Sequence, residues 1–405
     1  MNESKRNNVT SWNHKALQAA DDGMPSTTYP RATWRLQAEQ EAVPVCEEEK
    51  TEVNSKCFCE RRMMKVLLSS WVLLLLHVEV SIQEESTNRQ RDFYFGFFSN
   101  RDSNQDPFII LTTSESQPVN YSIEAPAVGY YISDSVTSDN RVIIHLNNSF
   151  IASSHNDQDK GIHLMISSDR VTVIGQNLGR LSSGTFLCLP ITNLCVDEYV
   201  YYGISVPIGR SGSYNSSILV VGTEDSTMMK LIVTQPVTIS VSNSTVDLTT
   251  GMQYSFVINR LQTVLVGSRD DLTGTKVVTD KPVSVLSGHQ CGTLPVNLSY
   301  CDHLIEQIPP TTLWSRMFYT ISTGRQYTLK VLAAYNSTTV DIVCNNVKTS
   351  RMLNEGQFCN LSLQSNDYCA VYSNEDVLVV HFSHAFGGSN NDEIMTLVPC
   401  SHKSV

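Results

Sequence analysis

Two histidines and two cysteines lie in a symmetric arrangement in the second half of the chain, as His289-x-Cys291 and Cys301-x-His303. Imidazole nitrogens and thiolate sulfurs are the usual ligands of a tetrahedral zinc ion, so these side chains could form a zinc site. Structural zinc motifs, however, usually separate paired ligands by roughly two to four residues rather than one. A disulfide between Cys291 and Cys301 is the competing interpretation, and we predict no metal and no cofactor here.

Two short acidic stretches resemble calcium-binding loops only superficially. After residues 102–106, an EF-hand loop would need glycine next and glutamate at its twelfth position, but these positions hold Pro107 and Thr113. The stretch at 157–161 is likewise typical of a polar turn. We expect both to be solvated turns without a metal.

Motifs of catalysis are missing from the sequence. It has no Gly-x-Ser-x-Gly elbow, no His-Glu-x-x-His pair and no phosphate-binding glycine loop. The histidines beside serines, His289 and His384, would need an acid and an oxyanion hole that no motif supplies. Asp302 and Glu306 come nearest to the carboxylate pair of a glycoside hydrolase. We predict no catalytic residue, with a secreted carbohydrate-active hydrolase as an alternative.

These residues belong to a long region of β-type sequence. From Phe93 onward, short alternating runs are separated by Asn, Asp, Ser and Gly, which predicts an all-β fold. A polar turn at 271–275, in which Gly274 is expected to have a positive φ, precedes strands broken by a turn at 280–282. The best candidate for a helix is the short stretch 302–307.

The runs repeat along the chain. Stretches that begin at Ile109, Leu219 and Val331 each read as a strand, a polar turn and a returning strand. An acidic turn that leads into an apolar strand follows each of them. A repeat of roughly 100 residues suits a small β-sandwich better than a propeller blade of about 40–50 residues. We predict about three repeated antiparallel β-sandwich-like units, at 93–196, 197–312 and 313–400.

A basic flank, RRMMK at 61–65, precedes the apolar run VLLSSWVLLLLHV at 66–78. This pattern is typical of a signal peptide, which we place at 63–82, so that residues 83–405 would be exported. Residues 1–62 are polar and aperiodic, and we interpret them as disordered or as a gene-model extension. The alternative is a signal anchor, with residues 66–80 holding a receptor-like ectodomain in the membrane.

Export agrees with the cysteine content, because eight of the eleven cysteines follow the signal. They are Cys188, Cys195, Cys291, Cys301, Cys344, Cys359, Cys369 and Cys400. Sequence leaves their pairing open. Our working expectation joins neighbours: Cys188–Cys195, Cys291–Cys301, Cys344–Cys359 and Cys369–Cys400.

Glycosylation sequons are frequent after the signal and predict glycans on exposed edges and loops. They lie at Asn120, Asn147, Asn215, Asn243, Asn297, Asn336 and Asn360. The formal net charge of −11, with no cluster of lysine and arginine after residue 65, argues against a nucleic-acid partner.

Three motifs carry a resemblance to a known family. DLTGT at 271–275, DKPVSVLSGHQC at 280–291 and YCDHLIEQIPP at 300–310, in this order and spacing, resemble the N-terminal domain of the IgGFc-binding protein family. The resemblance covers roughly residues 93–400 and implies one such domain within 83–405. The motif positions are Asp271, Gly274, Asp280, Lys281, Pro282, Gly288, Cys291, Cys301, Asp302, His303, Glu306, Gln307, Pro309 and Pro310.

The resemblance implies a secreted adhesion or recognition protein that binds glycoprotein, mucus or matrix partners without catalysis. It does not establish antibody binding, and the identity of the extracellular protein or glycan ligand stays open. Mucus proteins of the family append cysteine-dense von Willebrand D units, and this sequence has none. We therefore expect no covalent polymerisation through such units.

Overall fold

A computed structural model describes residues 90–152, 157–191, 196–207, 214–241, 244–294, 301–321, 323–384 and 393–401. Strands dominate these residues, with single 3-10 turns at Pro126–Val128, Asn148–Phe150 and Thr311–Leu313, so the all-β prediction is confirmed. In this part of the chain, no helix is long and apolar enough to cross a membrane. The predicted signal segment, Cys195, Asn243 and Asn297 lie outside the described residues.

The first strands form two four-stranded sheets, in the orders β1-β9-β4-β5 and β11-β10-β3-β6, and a short parallel pair, β2-β7. The strands are β1 (Arg91–Phe95), β2 (Phe97–Phe98), β3 (Gln105–Thr113), β4 (Val119–Ala125), β5 (Tyr130–Val136), β6 (Val142–His145), β7 (Ile151–Ala152), β8 (Asp157–Gln158), β9 (Ile162–Ile166), β10 (Val171–Gly179) and β11 (Ser183–Leu187). Strand β8 joins the edge of a later sheet.

The next strands form sheets in the orders β12-β19-β14-β17 and β21-β20-β13-β18-β8, with a separate hairpin, β15-β16. The strands are β12 (Tyr199–Tyr202), β13 (Ser216–Gly222), β14 (Thr227–Ile232), β15 (Val237–Val241), β16 (Ser244–Leu248), β17 (Gln253–Ile258), β18 (Thr263–Ser268), β19 (Lys276–Thr279), β20 (Val283–Gly292) and β21 (Asp302–Ile308).

The last strands form one sheet in which the long strand β27 pairs with β22, β23, β24 and β28. The strands are β22 (Ser315–Thr320), β23 (Tyr327–Ala333), β24 (Thr338–Cys344), β25 (Val347–Leu353), β26 (Phe358–Leu363), β27 (Cys369–Ser383) and β28 (Ile394–Leu397). The first half of β27 pairs with β22 and β24, and its second half pairs with β23 and β28.

The same order of pairing recurs three times. One set, the front sheets, runs β1-β9-β4-β5, β12-β19-β14-β17 and β22-β27-β24-β25; the other set, the back sheets, runs β11-β10-β3-β6, β21-β20-β13-β18 and β28-β27-β23-β26. In the third case both sheets share β27. We infer that the chain contains three copies of one unit of two four-stranded sheets, with β27 belonging to both sheets of the third, and we call them the N-terminal, central and C-terminal sandwiches.

Strand register relates the three copies residue by residue. The matching pairs in the back sheets are Thr113 with Val171, Gly222 with Val283, and Ala333 with Val377. It follows that Ile110, Leu219 and Lys330 are equivalent. The stretches that begin at Ile109 and Val331 are therefore each one residue out of register with Leu219, in opposite directions, and a slip of one residue exchanges the two faces of a strand.

The back sheet of the central sandwich is buried on both faces. Ile218 and Val220 of β13 pack in the central core, whereas Leu219 and Val221 of the same strand pack in the core of the N-terminal sandwich. This explains why β13 reads as a continuous apolar run rather than as an alternating one. One sheet thus forms a wall between two hydrophobic cores.

The C-terminal back sheet has the same two-sided burial. Leu329 and Val331 of β23 face their own core, whereas Leu332 packs with Ile204 and Leu304 of the central sandwich. Each back sheet after the first therefore covers the preceding sandwich.

Residues 302–307, proposed as a helix, instead form strand β21. All seven residues of β21 are buried, so the strand shows no polar and apolar alternation. Burial on both faces removed the periodicity that distinguishes a strand from a short buried helix.

The structure contains the expected Cys291–Cys301 disulfide and a second one, Cys344–Cys369. The expected pairs Cys344–Cys359 and Cys369–Cys400 were wrong, because Cys344 lies opposite Cys369 in the register of β24 and β27. Cys359 lies opposite Val331 instead. Cys188 is buried in the N-terminal core, and its pairing with Cys195 stays a prediction.

Candidate functional site

The turn at 271–275 lies between β18 and β19 of the central sandwich and contacts the C-terminal sandwich. The Asp271 carboxylate accepts a hydrogen bond from the Thr273 backbone N–H at 2.9 Å, which closes the turn. Gly274 has a φ of +89°, as predicted, and a Cβ there would lie 2.3 Å from the carbonyl oxygen of Gly356 in the neighbouring sandwich. Only glycine suits this backbone geometry and this close contact.

Asp271 also forms an ion pair with a buried lysine, Lys330, which was not among the predicted site residues. The ammonium nitrogen of Lys330 lies 2.9 Å from Asp271 Oδ2 and 3.0 Å from Thr273 Oγ1. It lies 4.4 Å from the centroid of the Phe358 ring, a cation–π distance. Burial lowers the pKa of Lys330, while the Asp271 carboxylate opposes that shift. A lysine within the apolar run 329–333 was the available signal, because an unpaired charge there would be costly.

The DKP turn at 280–282, between β19 and β20, is hydrogen-bonded to neighbouring segments of the same sandwich. Asp280 Oδ1 accepts a hydrogen bond from the Met228 N–H at 2.8 Å, and the carbonyl of Pro282 accepts one from the Thr223 hydroxyl. Further along β20, a Cβ on Gly288 would lie 1.9 Å from the carbonyl oxygen of Leu304. These motif residues therefore fix the backbone of the central sandwich.

His289 and His303 flank the disulfide as buried, uncharged side chains. Burial lowers the pKa of His289 to about 4 and that of His303 to about 3. Because Cys291 and Cys301 are joined, they offer no thiolate for zinc. In the described part of the chain, no group of three or more His, Cys, Asp or Glu side chains could hold a metal.

Strand β21 binds the N-terminal sandwich through its polar side chains. Asp302 Oδ1 accepts a hydrogen bond from the Ser183 N–H at 2.8 Å. Gln307 accepts one from the Leu189 N–H at 2.9 Å and donates one to Ser284 Oγ at 2.9 Å. His303 packs against Phe98, with 5.0 Å between ring centroids. This part of the motif holds the first two sandwiches together.

Two buried carboxyl groups lie near the same region. Burial raises the pKa of Glu306 to about 8 and that of Glu393 to about 8. Glu393 accepts hydrogen bonds from Thr293 Oγ1 at 2.8 Å and from the Leu294 N–H at 3.1 Å. Asp302 and Glu306 are four residues apart on one strand, about 13 Å, which exceeds the spacing of a glycosidase pair.

A charged cluster that no sequence motif marks lies where the front sheet of the N-terminal sandwich meets the central one. His163 Nε2 lies 2.7 Å from Asp92 Oδ1, and its Nδ1 lies 2.9 Å from Glu124 Oε1. Tyr94 stacks on the imidazole, with 4.3 Å between centroids. Arg260, from the β17–β18 turn, pairs with Glu124 and donates to the Tyr94 hydroxyl at 3.2 Å.

The junction between the central and C-terminal sandwiches repeats this contact. Glu355, from the β25–β26 turn, accepts a hydrogen bond from the Tyr202 hydroxyl at 2.7 Å and pairs with Lys276. Hydrogen bonding to Lys276 and to Tyr202 lowers the pKa of Glu355. Both junctions therefore place a charged turn on a tyrosine.

The candidate calcium loop at 102–106 covers the residues before β3 and the first two residues of that strand, and Asp102 Oδ2 accepts a hydrogen bond from the Leu181 N–H at 2.9 Å. Side chains of the second candidate, Asp157 and Gln158, are outside the described part. The sequon residues Asn120, Asn147, Asn336 and Asn360 are exposed and Asn215 is half-buried. Pro309 and Pro310 end β21, and the Pro309 carbonyl accepts a bond from Trp314.

The comparisons with known proteins place these motifs within one family. A family model described as IgGFc binding protein matches residues 184–403, more than half of the chain. The IgGFc-binding protein of Homo sapiens is 28% identical over 114 residues, which are 28% of this chain and 2% of that protein. The chain thus matches only a small part of this relative's length. No solved structure matches the chain.

Proposed function

Because the chain belongs to the IgGFc-binding protein family, we propose that it is a secreted recognition protein that binds extracellular glycoproteins, including those of mucus or matrix, and performs no catalysis. The observation that carries the proposal is the use of the motif. Its carboxylates, amide and cysteines are engaged in contacts within and between sandwiches.

Burial supports the absence of a catalytic role for the motif. His289, His303 and Glu306 are all buried inside the protein, so a substrate cannot reach them. A binding protein needs a rigid scaffold that presents exposed loops and edges, and the motif supplies that rigidity. The disulfides and exposed sequons agree with the oxidising, glycosylating environment of the secretory pathway.

The first test is peptide mapping under non-reducing conditions of the protein exported by expressing cells. We expect a mature N-terminus near residue 83, the Cys291–Cys301 and Cys344–Cys369 bridges, and glycans on the exposed sequons. Retention of residues 1–62 in a membrane fraction would favour the anchored ectodomain instead.

The second test measures binding by the same exported protein. It is immobilised and exposed to a purified secreted mucin, to the Fc fragment of immunoglobulin G and to serum albumin as a control. We expect saturable binding of at least one of the first two and none of albumin. Hydrolysis of mucin glycans without saturable binding would contradict the proposal.

A further inference from the structure

The N-terminal sandwich exposes a face that is buried in the central one. In the central back sheet, Leu286, Leu219 and Leu265 lie in one row across adjacent strands, and each is fully buried against the N-terminal sandwich. Gly96 of that sandwich packs on Leu219, with an added Cβ 3.1 Å from its side chain. This row is the centre of the first junction.

Register assigns Ile174, Ile110 and Ile143 to the same positions in the N-terminal back sheet. Leu187 extends the row on the next strand. Here Ile143 is 41% and Leu187 51% exposed, and the other two are half-buried. We call this row the N-face. Exposed apolar rows of this kind mark interaction surfaces more often than scattered apolar residues do.

The opposite end shows the complementary exposure. Tyr202, the last residue of β12 in the central front sheet, and Ile204, two residues later, are 1% and 0% exposed because the C-terminal sandwich covers them. The equivalent residues of the C-terminal sandwich are Tyr319 and Ile321, since Tyr202 lies opposite Lys276 and Tyr319 opposite Ala370 at matching positions.

Tyr319 is 51% and Ile321 77% exposed. They line a groove of about 560 Å³ together with Arg325, Ile394 and Leu397. We call this surface the C-face.

We propose that the N-face of one molecule docks on the C-face of a second copy of this chain, by the contact that already joins consecutive sandwiches within the chain. The structure of the chain itself suggests the occupant. At both internal junctions, the back sheet of one sandwich, at the positions equivalent to the N-face, covers the preceding sandwich at the positions equivalent to the C-face. The proposal concerns self-association and is independent of the proposed recognition function.

The surroundings of both faces agree with such a contact. The described sequons lie on or near β4, β13, β26, the β23–β24 turn and the residues after β6, so none lies on the apolar row of either face. Glycans would therefore leave the contact open. Of the side chains named in the two faces, only Arg325 is charged. The acidic residues that give the protein its net charge of −11 therefore lie outside these side chains and do not repel there.

A contact between two different faces is heterologous, and it forms rings or open chains rather than a closed two-fold dimer. This geometry permits a test by complementation. Leu187→Glu disables the N-face and Ile321→Glu disables the C-face. Met352→Glu is the matched control, because Met352 is 74% exposed but lies on β25, at the opposite edge of the front sheet from β22 and its Tyr319.

The experiment is sedimentation velocity of the exported protein over a range of concentrations. We expect the mass of the unchanged protein and of Met352→Glu to rise with concentration, whereas each face variant alone stays monomeric. An equimolar mixture of the two face variants retains one intact pair of faces, so it is expected to form a heterodimer and nothing larger.

Three results would overturn the proposal. They are a monomeric unchanged protein at all concentrations, association that survives either face variant, and a mixture that stays monomeric while the unchanged protein associates. Circular dichroism of each variant confirms that it is folded before the comparison is made, and Leu187→Gln with Ile321→Gln replaces any variant that is not.

Discussion

The two junctions between sandwiches place the same kind of turn on the same kind of tyrosine but carry opposite charges. At the first, Arg260 lies on Tyr94 beside Glu124. At the second, Glu355 bonds Tyr202 beside Lys276. The positions of these contacts are the same at the two junctions, whereas the signs of the charges are exchanged. Exchanging the turns would put like charges together, a form of discrimination against wrong neighbours.

The buried centres of the junctions differ more strongly. The position that holds Leu219 at the first junction holds Lys330 at the second, where Asp271 neutralises it. At this position the first junction is held by apolar contact alone, whereas the second depends on the ion pair between Lys330 and Asp271. Buried ion pairs rarely exceed apolar packing in stability, but losing one partner is costly.

The largest effect is expected from Lys330→Leu, which converts the second junction toward the first. The Asp271 carboxylate loses its buried partner, and unfolding free energy should fall by about 3 kcal/mol. Lys330→Leu combined with Asp271→Asn should recover much of that loss. Urea denaturation measures both. Lys348→Leu is the control, because its pair with Asp341 is exposed and is expected to contribute little to stability. Equal losses for Lys330→Leu and its double variant would contradict this explanation.

A second expected effect is a stability maximum at mildly acidic pH. Burial raises the pKa values of Glu306 and Glu393 from 4.5 to about 8. Their contribution to the free energy of unfolding is therefore complete below pH 4.5 and declines as the pH rises towards 8. His289 and His303 have pKa values lowered from 6.5 to about 4 and about 3, so their contribution is complete above pH 6.5 and declines in acid.

Between pH 4.5 and 6.5 the carboxyl groups and the histidines change the free energy of unfolding in opposite directions. Just above pH 6.5 only the carboxyl groups lower it, and just below pH 4.5 only the histidines do. Thermal unfolding midpoints from pH 4 to pH 9 test this. Glu306→Gln should flatten the decline between pH 6.5 and 8 by up to ~2 kcal/mol, at about 1.4 kcal/mol per pH unit. An unchanged alkaline decline in both Glu306→Gln and Glu393→Gln would show that other groups cause it.

A smaller loss is expected from Arg260→Ala at the first junction. Removal of the guanidinium breaks the pair with Glu124 and the bond to Tyr94, both half-buried, for about 1 kcal/mol. Urea denaturation with Arg316→Ala as control separates a junction effect from the loss of a surface arginine, because Arg316 pairs only within the C-terminal sandwich. A larger loss for the control would reverse the interpretation.

The smallest effect belongs to Glu355→Gln at the second junction. Glutamine can still accept the hydrogen bond from Tyr202 and loses only the charge that pairs with Lys276, so about 0.5 kcal/mol is expected, and added salt should reduce the difference. Denaturation at low and high salt measures it. A salt-independent loss would indicate lost packing rather than lost charge.

Local sequence signals predicted the local structure well. The strands, the turn at 280–282 and the positive φ of Gly274 follow from patterns a few residues long. The Cys291–Cys301 bridge was also predicted, because it closes a short loop. For these features, the physical cause lies in neighbouring residues.

Features that depend on distant strands were predicted poorly. The Cys344–Cys369 bridge depends on the register of β24 with β27, and pairing by sequence proximity missed it. The strand β21 was mistaken for a helix because burial on both faces erased its alternation. Neither the Lys330–Asp271 pair nor the Arg260 cluster has a local motif, since each joins residues from different sandwiches.

The back sheet of the central sandwich, buried on both faces, has a consequence for exchange with solvent. An amide of β13 or β20 can open only when two hydrophobic cores separate from the sheet. Hydrogen–deuterium exchange should therefore be slow there, as in β23 of the C-terminal back sheet, and should report the global unfolding free energy. The edge strand β5, with Tyr131 exposed, should exchange by local fraying. Among the described strands, the slowest exchange is therefore expected in the sheets that are shared by two hydrophobic cores.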